Sequence, residues 1–530
     1  MTPALAVSVL ALTAGVLSLL LPFALHRAWL LVRSRRSRGE DRRPLAREEL
    51  PRVTVQLPVY NERHVVGRLV DAACRLDHPA ELLEIQVLDD SDDGSHRVAA
   101  ERCAAWRERG VDVTHHRRGS REGFKAGALA WGAARARGEF FLVLDADFVP
   151  DSGLVGALLP PFRDPSVGMV QARWDHLNRE ESWLTRAQAF LLDGHFLFEQ
   201  GGRYAGGRFF NFNGTAGMWR RSCLEAAGGW EADTLTEDLD LSYRAQMAGW
   251  RFAYLDDVGV PAELPSTPAA LEVQQRRWAQ GGIQTARKIL PRLLRGPWPA
   301  GVKAEAVVHL CGHLAHPLTI LLALLLFPSA LARRTLGLDG YLALDLLVFS
   351  AATLPFLAFY GAAGRLRGRP WRGLGRGVVR TLVLGIGLTV PVTRAVLRGL
   401  GRSRDPFQRT PKRGAAARSS YAGRTLPVDT VVRLALAAVM TVYLAAAVSL
   451  GYWASLPFIL LFLAGFGALG VEGARTHRAA EQGGGARATP PRRGGPAPGP
   501  RGGGAATPAG ATARWPGRRR GPSSRGRRGR

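Results

Sequence analysis

Apolar residues crowd the two flanks of the central region and leave the middle of the chain polar. Residues 1–31 and 304–474 are mostly apolar, whereas 51–290 has the mixture of a water-soluble domain. No single solvent suits both kinds of segment, so the chain must fold partly in lipid and partly in water. The run Ala4–Leu31 is long enough to span a bilayer and is interrupted only near its end, by His26 and Arg27. A signal peptide is the competing reading. It is disfavoured because the basic cluster Arg33, Arg35, Arg36 and Arg38 follows the apolar run instead of preceding it. The same cluster predicts an outside N-terminus, a transmembrane helix over 1–33 and a cytoplasmic domain over 50–290.

Five further apolar stretches follow, at about 304–332, 341–362, 377–397, 429–450 and 455–473, within a membrane domain expected over 300–474. Two Arg-rich loops flank the third stretch. One holds Arg365, Arg367, Arg369, Arg372 and Arg376, and the other runs through 398–425. If 377–397 crossed the bilayer, these loops would face opposite sides, although basic loops belong on the cytoplasmic side. The sequence therefore predicts that 377–397 lies in the membrane surface as an interfacial helix, leaving five spans. Arg333 and Arg334 then fall outside, against the same rule.

The net charge of +27 raises the question of nucleic acid. Its distribution argues against such a partner. The last 56 residues, 475–530, carry 14 Arg and one Glu among Gly, Pro and Ala, so about half of the excess sits in a tail expected to be disordered and cytoplasmic. Much of the rest flanks apolar segments, where membrane lipids are the natural partner. Cys74, Cys103, Cys223 and Cys311 have no metal-ligand or CxxC spacing and suit a reducing compartment.

In the middle region, the β-rich run 53–57 is stopped by Pro58, a second run covers 84–88 and ends at Asp89, and a third, Phe140–Leu144, ends at Asp145. Helical stretches at about 63–77, 95–109 and 123–137 separate them, the pattern of a parallel α/β sheet. Ligands of such sheets bind beyond the C-terminal strand ends, and there the acids fall: Asp89-Asp90, then Asp145-Ala146-Asp147. Taken alone, a DxD is most often a solvated turn. At a strand end, two carboxylates one residue apart can also hold a hard divalent cation against phosphate oxygens. Thr236-Glu237-Asp238 reads as a helix start with Thr236 as N-cap and Gly249 ending the helix, which is also a place to fix a carboxylate. On a helix, Gln274, Arg277 and Trp278 share one face. Arg suits a diphosphate and Trp a sugar ring, while an ordinary amphipathic surface helix is the plain alternative.

These motifs, in this order and between membrane segments, resemble family 2 glycosyltransferases of the cellulose synthase type, above all the glucomannan and mannan synthases and their bacterial relatives. The resemblance rests on Gln56–Glu62 (QLPVYNE), Gln86–Asp92 (QVLDDSD), Phe124–Leu129 (FKAGAL), Leu144–Phe148 (LDADF), Val170–Trp174 (VQARW), Phe212–Trp219 (FNGTAGMW), Thr236–Asp240 (TEDLD), Glu263–Thr267 (ELPST) and Gln274–Trp278 (QQRRW). It covers about 53–290 closely and the membrane region loosely. Phe407–Lys412 (FQRTPK) is similar to the gating loop of cellulose synthase, without the hydrophobic residue expected between Phe and Thr.

The resemblance implies a GT-A-type α/β fold with a mixed, mostly parallel sheet. It implies an inverting transfer of a hexose from GDP-mannose or UDP-glucose to a growing β-linked polysaccharide, coupled to export across the plasma (inner) membrane. By motif, Tyr60, Asn61, Glu62 and Asp89 hold the nucleotide, and Lys125, Gln274 and Arg277 lie at the diphosphate. Asp145 and Asp147 bind Mg²⁺ or Mn²⁺ with the donor, and Asp238 is the general base. Phe212, Asn213, Gly214, Thr215 and Trp278 form the acceptor site. Transfer of one sugar to a lipid, as in ceramide glucosyltransferase or polyprenyl-phosphate transferases, is the main competitor, because those enzymes share the Asp and QxxRW motifs. A non-catalytic scaffold built on such a domain is disfavoured by the presence of all the acids. No PilZ-like RxxxR…DxSxxG pattern is found. The histidines His309, His313 and His316, spaced four and three apart, are expected to line one helical face beyond the catalytic site.

Overall fold

The computed structural model describes residues 1–34, 41–338, 342–401 and 426–484. The gating-loop-like Phe407–Lys412 and the tail beyond Gly484 lie outside the described residues.

The soluble domain is built on seven strands, β1 (Val53–Val59), β2 (Leu83–Asp89), β3 (Val113–His116), β4 (Phe140–Val143), β5 (Val167–His176), β6 (Gly217–Arg220) and β7 (Arg251–Ala262), in the order β3-β2-β1-β4-β6-β5-β7. Pairing is parallel except around β6, which runs antiparallel to both β4 and β5. This is the mixed, mostly parallel sheet expected. β1 does not stop at Pro58 but continues to Val59, paired with Asp89. Its pairing with β4 ends at Gln56, so Pro58 has a strand partner on one side only, where its missing N–H costs nothing.

Alternation along β1 explains the two faces of the sheet. Val53, Val55 and Leu57 enter one apolar core with Ile85, Val87 and Leu142. Each such buried side chain contributes roughly 1.5–3 kcal/mol. On the opposite face Thr54 donates to Glu84 at 2.6 Å and Gln56 to Gln86 at 3.2 Å. A second core, with Phe141, Val143, Phe212 and Trp219, covers that side.

Among the described residues, five helices are long and apolar enough to cross a bilayer: Pro3–Arg33, Gly312–Thr335, Trp371–Leu400, Val428–Ser449 and Trp453–Arg478. A further helix, Leu342–Leu366, covers the expected 341–362 segment. The N-terminal helix presents Leu5, Val7, Leu12, Leu19 and Leu25 outward, a face that water would reject and lipid accepts.

Two expectations need correction. The stretch 304–332 is not one helix: Ala300–Leu310 ends at Cys311, a single 3₁₀ turn Gly312–Leu314 follows, and Ala315–Thr335 begins anew. His309 is thereby separated from the other two histidines, and its Nδ1 bonds the Tyr243 hydroxyl at 2.9 Å. His313 and His316 remain together as stacked rings 5.9 Å apart. The last helix also runs on to Gly484, so residues 475–484 are helical where disorder was expected.

The Trp371–Leu400 helix has the lowest hydropathy of the five. Just before its start, Arg367 donates to Asp256 at 2.7 Å and Arg369 to Asp193 at 3.3 Å. Along its length Leu384 and Leu388 pack with Leu184 and Leu271. At its end Arg287 of the soluble domain donates to the Gly399 carbonyl at 3.1 Å. Both ends and the middle of this helix therefore touch the soluble domain.

Candidate active site

A cleft with about 1290 Å³ of open space lies beyond the C-terminal ends of β1, β2 and β4. It is open to solvent and lined by both charged and aromatic side chains. Its walls include Tyr60, Glu62, Lys125, Asp145, Asp147, Asn213, Gly214, Asp238, Gln274, Arg277 and Trp278. Eleven residues proposed from separate motifs thus converge. Asn61, Asp89, Phe212 and Thr215 are not on the wall, and each has a different occupation.

Asp89 is buried and accepts from His115 Nε2 at 2.9 Å and from the Ser91 backbone N–H at 2.8 Å. Burial alone would raise its pKa, but the hydrogen bonds from His115 and Ser91 outweigh it and hold the carboxyl below the ordinary range. It orders the loop after β2 and does not face the cleft. Strand parity accounts for this, since Asp89 shares the face of Ile85 and Val87. Asp90 stands on the wall instead, in a two-point pair with Arg118 at 2.9 and 2.5 Å. Asn61 adopts φ 55° and ties the β1 turn to the β2 turn: its Nδ2 donates to Asp92 at 2.7 Å and its Oδ1 accepts from the Asp92 N–H at 3.0 Å. Next to it, the Arg121 guanidinium lies 3.5 Å from the Tyr60 ring centroid.

Asp145 follows β4, and its backbone N–H donates to Thr215 Oγ1 at 2.8 Å, which explains why Thr215 is buried. Lys125 Nζ bridges Asp145 Oδ1 at 2.5 Å and the Gly214 carbonyl at 2.8 Å. Burial works to lower the Lys125 pKa, yet Asp145, Glu237 and Asp238 hold it above its ordinary value. Asp145 and Asp147 offer hard oxygen donors on one wall, a donor set that fits a divalent cation completed by phosphate oxygens. Another acidic trio, Glu231, Asp233 and Asp240, lies within 4.8 Å but converges on Lys288 Nζ at 2.5, 2.8 and 3.0 Å. The Lys288 ammonium already occupies the centre of that cluster, and Arg244 pairs with Asp240 at 2.8 Å.

Asp238 is the second residue of the Glu237–Met247 helix. Thr236 occupies the N-cap position but does not cap through its side chain; its hydroxyl bonds Thr285 at 3.2 Å. Asp238 Oδ1 accepts the Leu239 N–H at 2.8 Å. Burial and the adjacent Glu237 push its carboxyl up to about 7, against the pull of Lys125 and Arg277. Gly214, at φ +81°, lets the backbone approach it: a Cβ there would stand 2.8 Å from Asp238 Oδ2. Phe212 is buried against Trp219 and Trp230, so it supports this turn from the core side and does not meet an acceptor.

The cleft is closed by the Pro268–Arg295 helix, capped by Thr267, whose side chain accepts from Ala270 N. Gln274, Arg277 and Trp278 face the cleft from it. Trp174, at the end of β5, stands 6.3 Å from Trp278 and completes an aromatic wall. Trp174, Asp90, Arg121 and Glu237 were not assigned from the sequence. Trp174, Asp90 and Glu237 lie inside the quoted motifs, and only the folded arrangement brings them and Arg121 to the cleft.

A family model described as "Glycosyltransferase like family 2" matches residues 51–281. "Glucomannan 4-beta-mannosyltransferase 2" of Arabidopsis thaliana is 41% identical over 260 residues, 48% of this chain and 49% of that protein. "Probable glucomannan 4-beta-mannosyltransferase 7" of Oryza sativa subsp. japonica is 44% identical over 248 residues, 46% of this chain and 42% of that one. The chain spans about half the length of the curated relatives it matches. Among solved structures, a mannosyltransferase from Pyrobaculum calidifontis in complex with GDP-Man and Mn²⁺ aligns at TM-score 0.47 and 24% identity, covering 70% of this chain and 99% of that one.

Proposed function

We propose, from the premise that residues 51–281 are a family 2 glycosyltransferase domain, that this chain transfers a hexose from GDP-mannose or UDP-glucose to a growing β-linked polysaccharide. The observation that carries the reading is the facing of Asp238 and the Lys125–Asp145 pair across the Gly214 turn. A proton acceptor and a diphosphate-binding group thus share one cleft.

In this reading Tyr60, Glu62 and the loop ordered by Asn61 and Asp89 receive the nucleotide. Lys125 and Arg277 carry positive charge toward the diphosphate as it leaves. Asp145 and Asp147 would hold Mg²⁺ or Mn²⁺, which offsets the negative charge building on the leaving group. Asp238 removes the proton from the acceptor hydroxyl, and its raised pKa suits it to that task near neutrality. One displacement with one base inverts the anomeric carbon and requires no second carboxylate. Trp278 and Trp174 present flat faces to the acceptor sugar.

The topology belongs to the same proposal: outside N-terminus, five spans, a cytoplasmic catalytic domain at the plasma membrane, and Trp371–Leu400 lying in the membrane plane. A helix crossing about 30 Å of hydrocarbon would carry one end away from the soluble domain. Contacts at both ends, through Arg369–Asp193 and Arg287–Gly399, support the in-plane placement.

The test is incubation of membranes holding the full chain with labelled GDP-mannose and, separately, UDP-glucose, followed by sizing and linkage analysis. A β-linked polymer from either donor is expected. A monoglycosylated lipid as the sole product would replace polymer synthesis by lipid transfer.

A further inference from the structure

The helix Trp183–Gly194 does not end where its regular hydrogen bonding does. A π-helical turn, His195–Gln200, follows directly and passes into Gly201–Ala205. Such an insertion shifts the phase of the helix and is disfavoured without a compensating role. Here it turns two side chains toward different regions. His195 Nε2 lies 3.3 Å from Asn213 Oδ1, on the cleft wall, and His195 Nδ1 lies 2.8 Å from Glu199 Oε2. The other oxygen of Glu199 accepts from Arg27 Nη1 at 2.9 Å. Arg27 belongs to the N-terminal membrane helix and is stacked over Phe356 and Phe359 at 4.8 and 4.9 Å.

The amide orientations in this row follow from their neighbours. Asn211 Nδ2 donates to the Phe212 carbonyl at 3.1 Å and to Asn213 Oδ1 at 2.9 Å. The oxygen of the Asn213 amide therefore faces His195 Nε2 at 3.3 Å. Glu199, paired with Arg27, lies 2.8 Å from the other ring nitrogen. His195 is thus a rigid strut between a membrane helix and Asn213. Asn213 is further fixed by its N–H to Gln171 at 2.9 Å. The next residue is Gly214, whose carbonyl holds Lys125 and whose Cα hydrogens face Asp238 Oδ2.

We infer that His195 is a positioning residue of the transfer reaction: through Asn213 it sets the Gly214 turn between Lys125 and Asp238, with Glu199 and Arg27 anchoring it to the N-terminal membrane helix. The inference rests on the transferase reading above. It makes the first membrane helix part of the catalytic apparatus as well as an anchor.

The experiment uses the full chain in detergent or nanodiscs, the labelled donor that the unaltered chain accepts, and a β-linked oligosaccharide primer. His195→Ala is expected to lower kcat about ten- to a hundredfold, the scale of a small misplacement of reacting groups, with donor KM within about twofold. Glu199→Gln, nearly the same shape, is expected to lower kcat in the same direction by a smaller factor and serves if the alanine variant folds poorly. The double variant His195→Ala/Asn213→Ala is expected to be no slower than the worse single variant, because both changes break one strut. Effects that multiply would overturn the inference. So would a rise in donor KM that matches the fall in kcat, together with a lowered Tm, since that pattern marks a general loss of structure. Failure of the unaltered chain to transfer from either donor would overturn the transferase reading and this inference with it, and is told apart by appearing before any substitution.

Discussion

A carboxylate that must take a proton gains from the same surroundings that make its charge costly to keep. Asp238 is raised to about 7 by burial and by Glu237. Transfer should therefore fall as pH drops through about 7, because the base is then protonated, and a pH–kcat profile checks this. The stability effect follows by linkage: the folded pKa lies above the unfolded one, so the group favours the fold below about pH 4 and loses that contribution as pH rises through about 7. Asp238→Asn should abolish transfer, leave donor binding nearly intact and melt higher than the unaltered chain at pH 8. About 1 kcal/mol would show as roughly 2–4 °C. A variant that loses donor affinity as strongly as Asp145→Ala would contradict the base assignment. Gly214→Ala should cost more than 1 kcal/mol at its positive φ and push Asp238 aside, lowering kcat roughly a hundredfold. Kinetics and melting of one preparation test both. Chelation should stop donor binding as well as turnover, since Lys125 alone leaves a net negative charge at Asp145 and Asp147 that repels a diphosphate; full activity in EDTA would remove the metal from the mechanism.

At the scale of elements, what was legible in the sequence is what periodicity and strand-end acids encode. Asp145, Asp147, Asp238, Gln274, Arg277 and Trp278 were placed by motif, and all six reach one cleft. What stayed hidden depends on side-chain direction and on breaks in helices. Asp89 turns toward the core because it shares parity with Ile85 and Val87. Phe212 packs under Trp219 and Trp230, and Thr215 accepts the Asp145 N–H, so both are buried while the half-buried Asn213 between them reaches the cleft. The π turn at His195–Gln200 leaves no compositional trace, because a change of helical phase has no residue signature of its own. The break at Cys311 dissolved the three-histidine stripe: the expected spacing assumed one uninterrupted helix, and Gly312 begins a 3₁₀ turn. The Trp371–Leu400 helix yields a prediction of its own. Cysteines introduced near Arg369 and near Lys412 should both be labelled from the cytoplasmic side only. Labelling from opposite sides would make this helix a true span.

Across the whole molecule, the soluble domain and the membrane helices are joined by charge as much as by apolar packing. Glu305 accepts from Arg203 and bonds His26, linking the N-terminal helix, the soluble domain and the Ala300–Leu310 helix. On the other side Arg433 pairs with Glu272 at 2.7 Å and Arg276 with Asp429 at 3.5 Å. Glu272 lies two residues before Gln274, on the helix that closes the cleft, so that helix is clamped to the membrane unit. If polymer synthesis is the reaction, as proposed, this clamp keeps the cleft beside the membrane helices between transfers. The path is expected to pass from Trp278 toward His313, whose ring lies 3.4 Å from a Cβ placed at Gly282, one helical turn further along. Polar rings within a span face a bundle interior or a path more readily than lipid. Replacing His313 and His316 together by Leu should therefore leave the first transfer to a short primer within a few-fold and shorten the polymer, because elongation requires the product to stay bound and advance. Gel sizing of labelled product beside a single-turnover assay separates the two quantities. Unchanged chain length would place the path elsewhere, and a product limited to one sugar on lipid in the unaltered chain would mean that these helices open sideways to the bilayer.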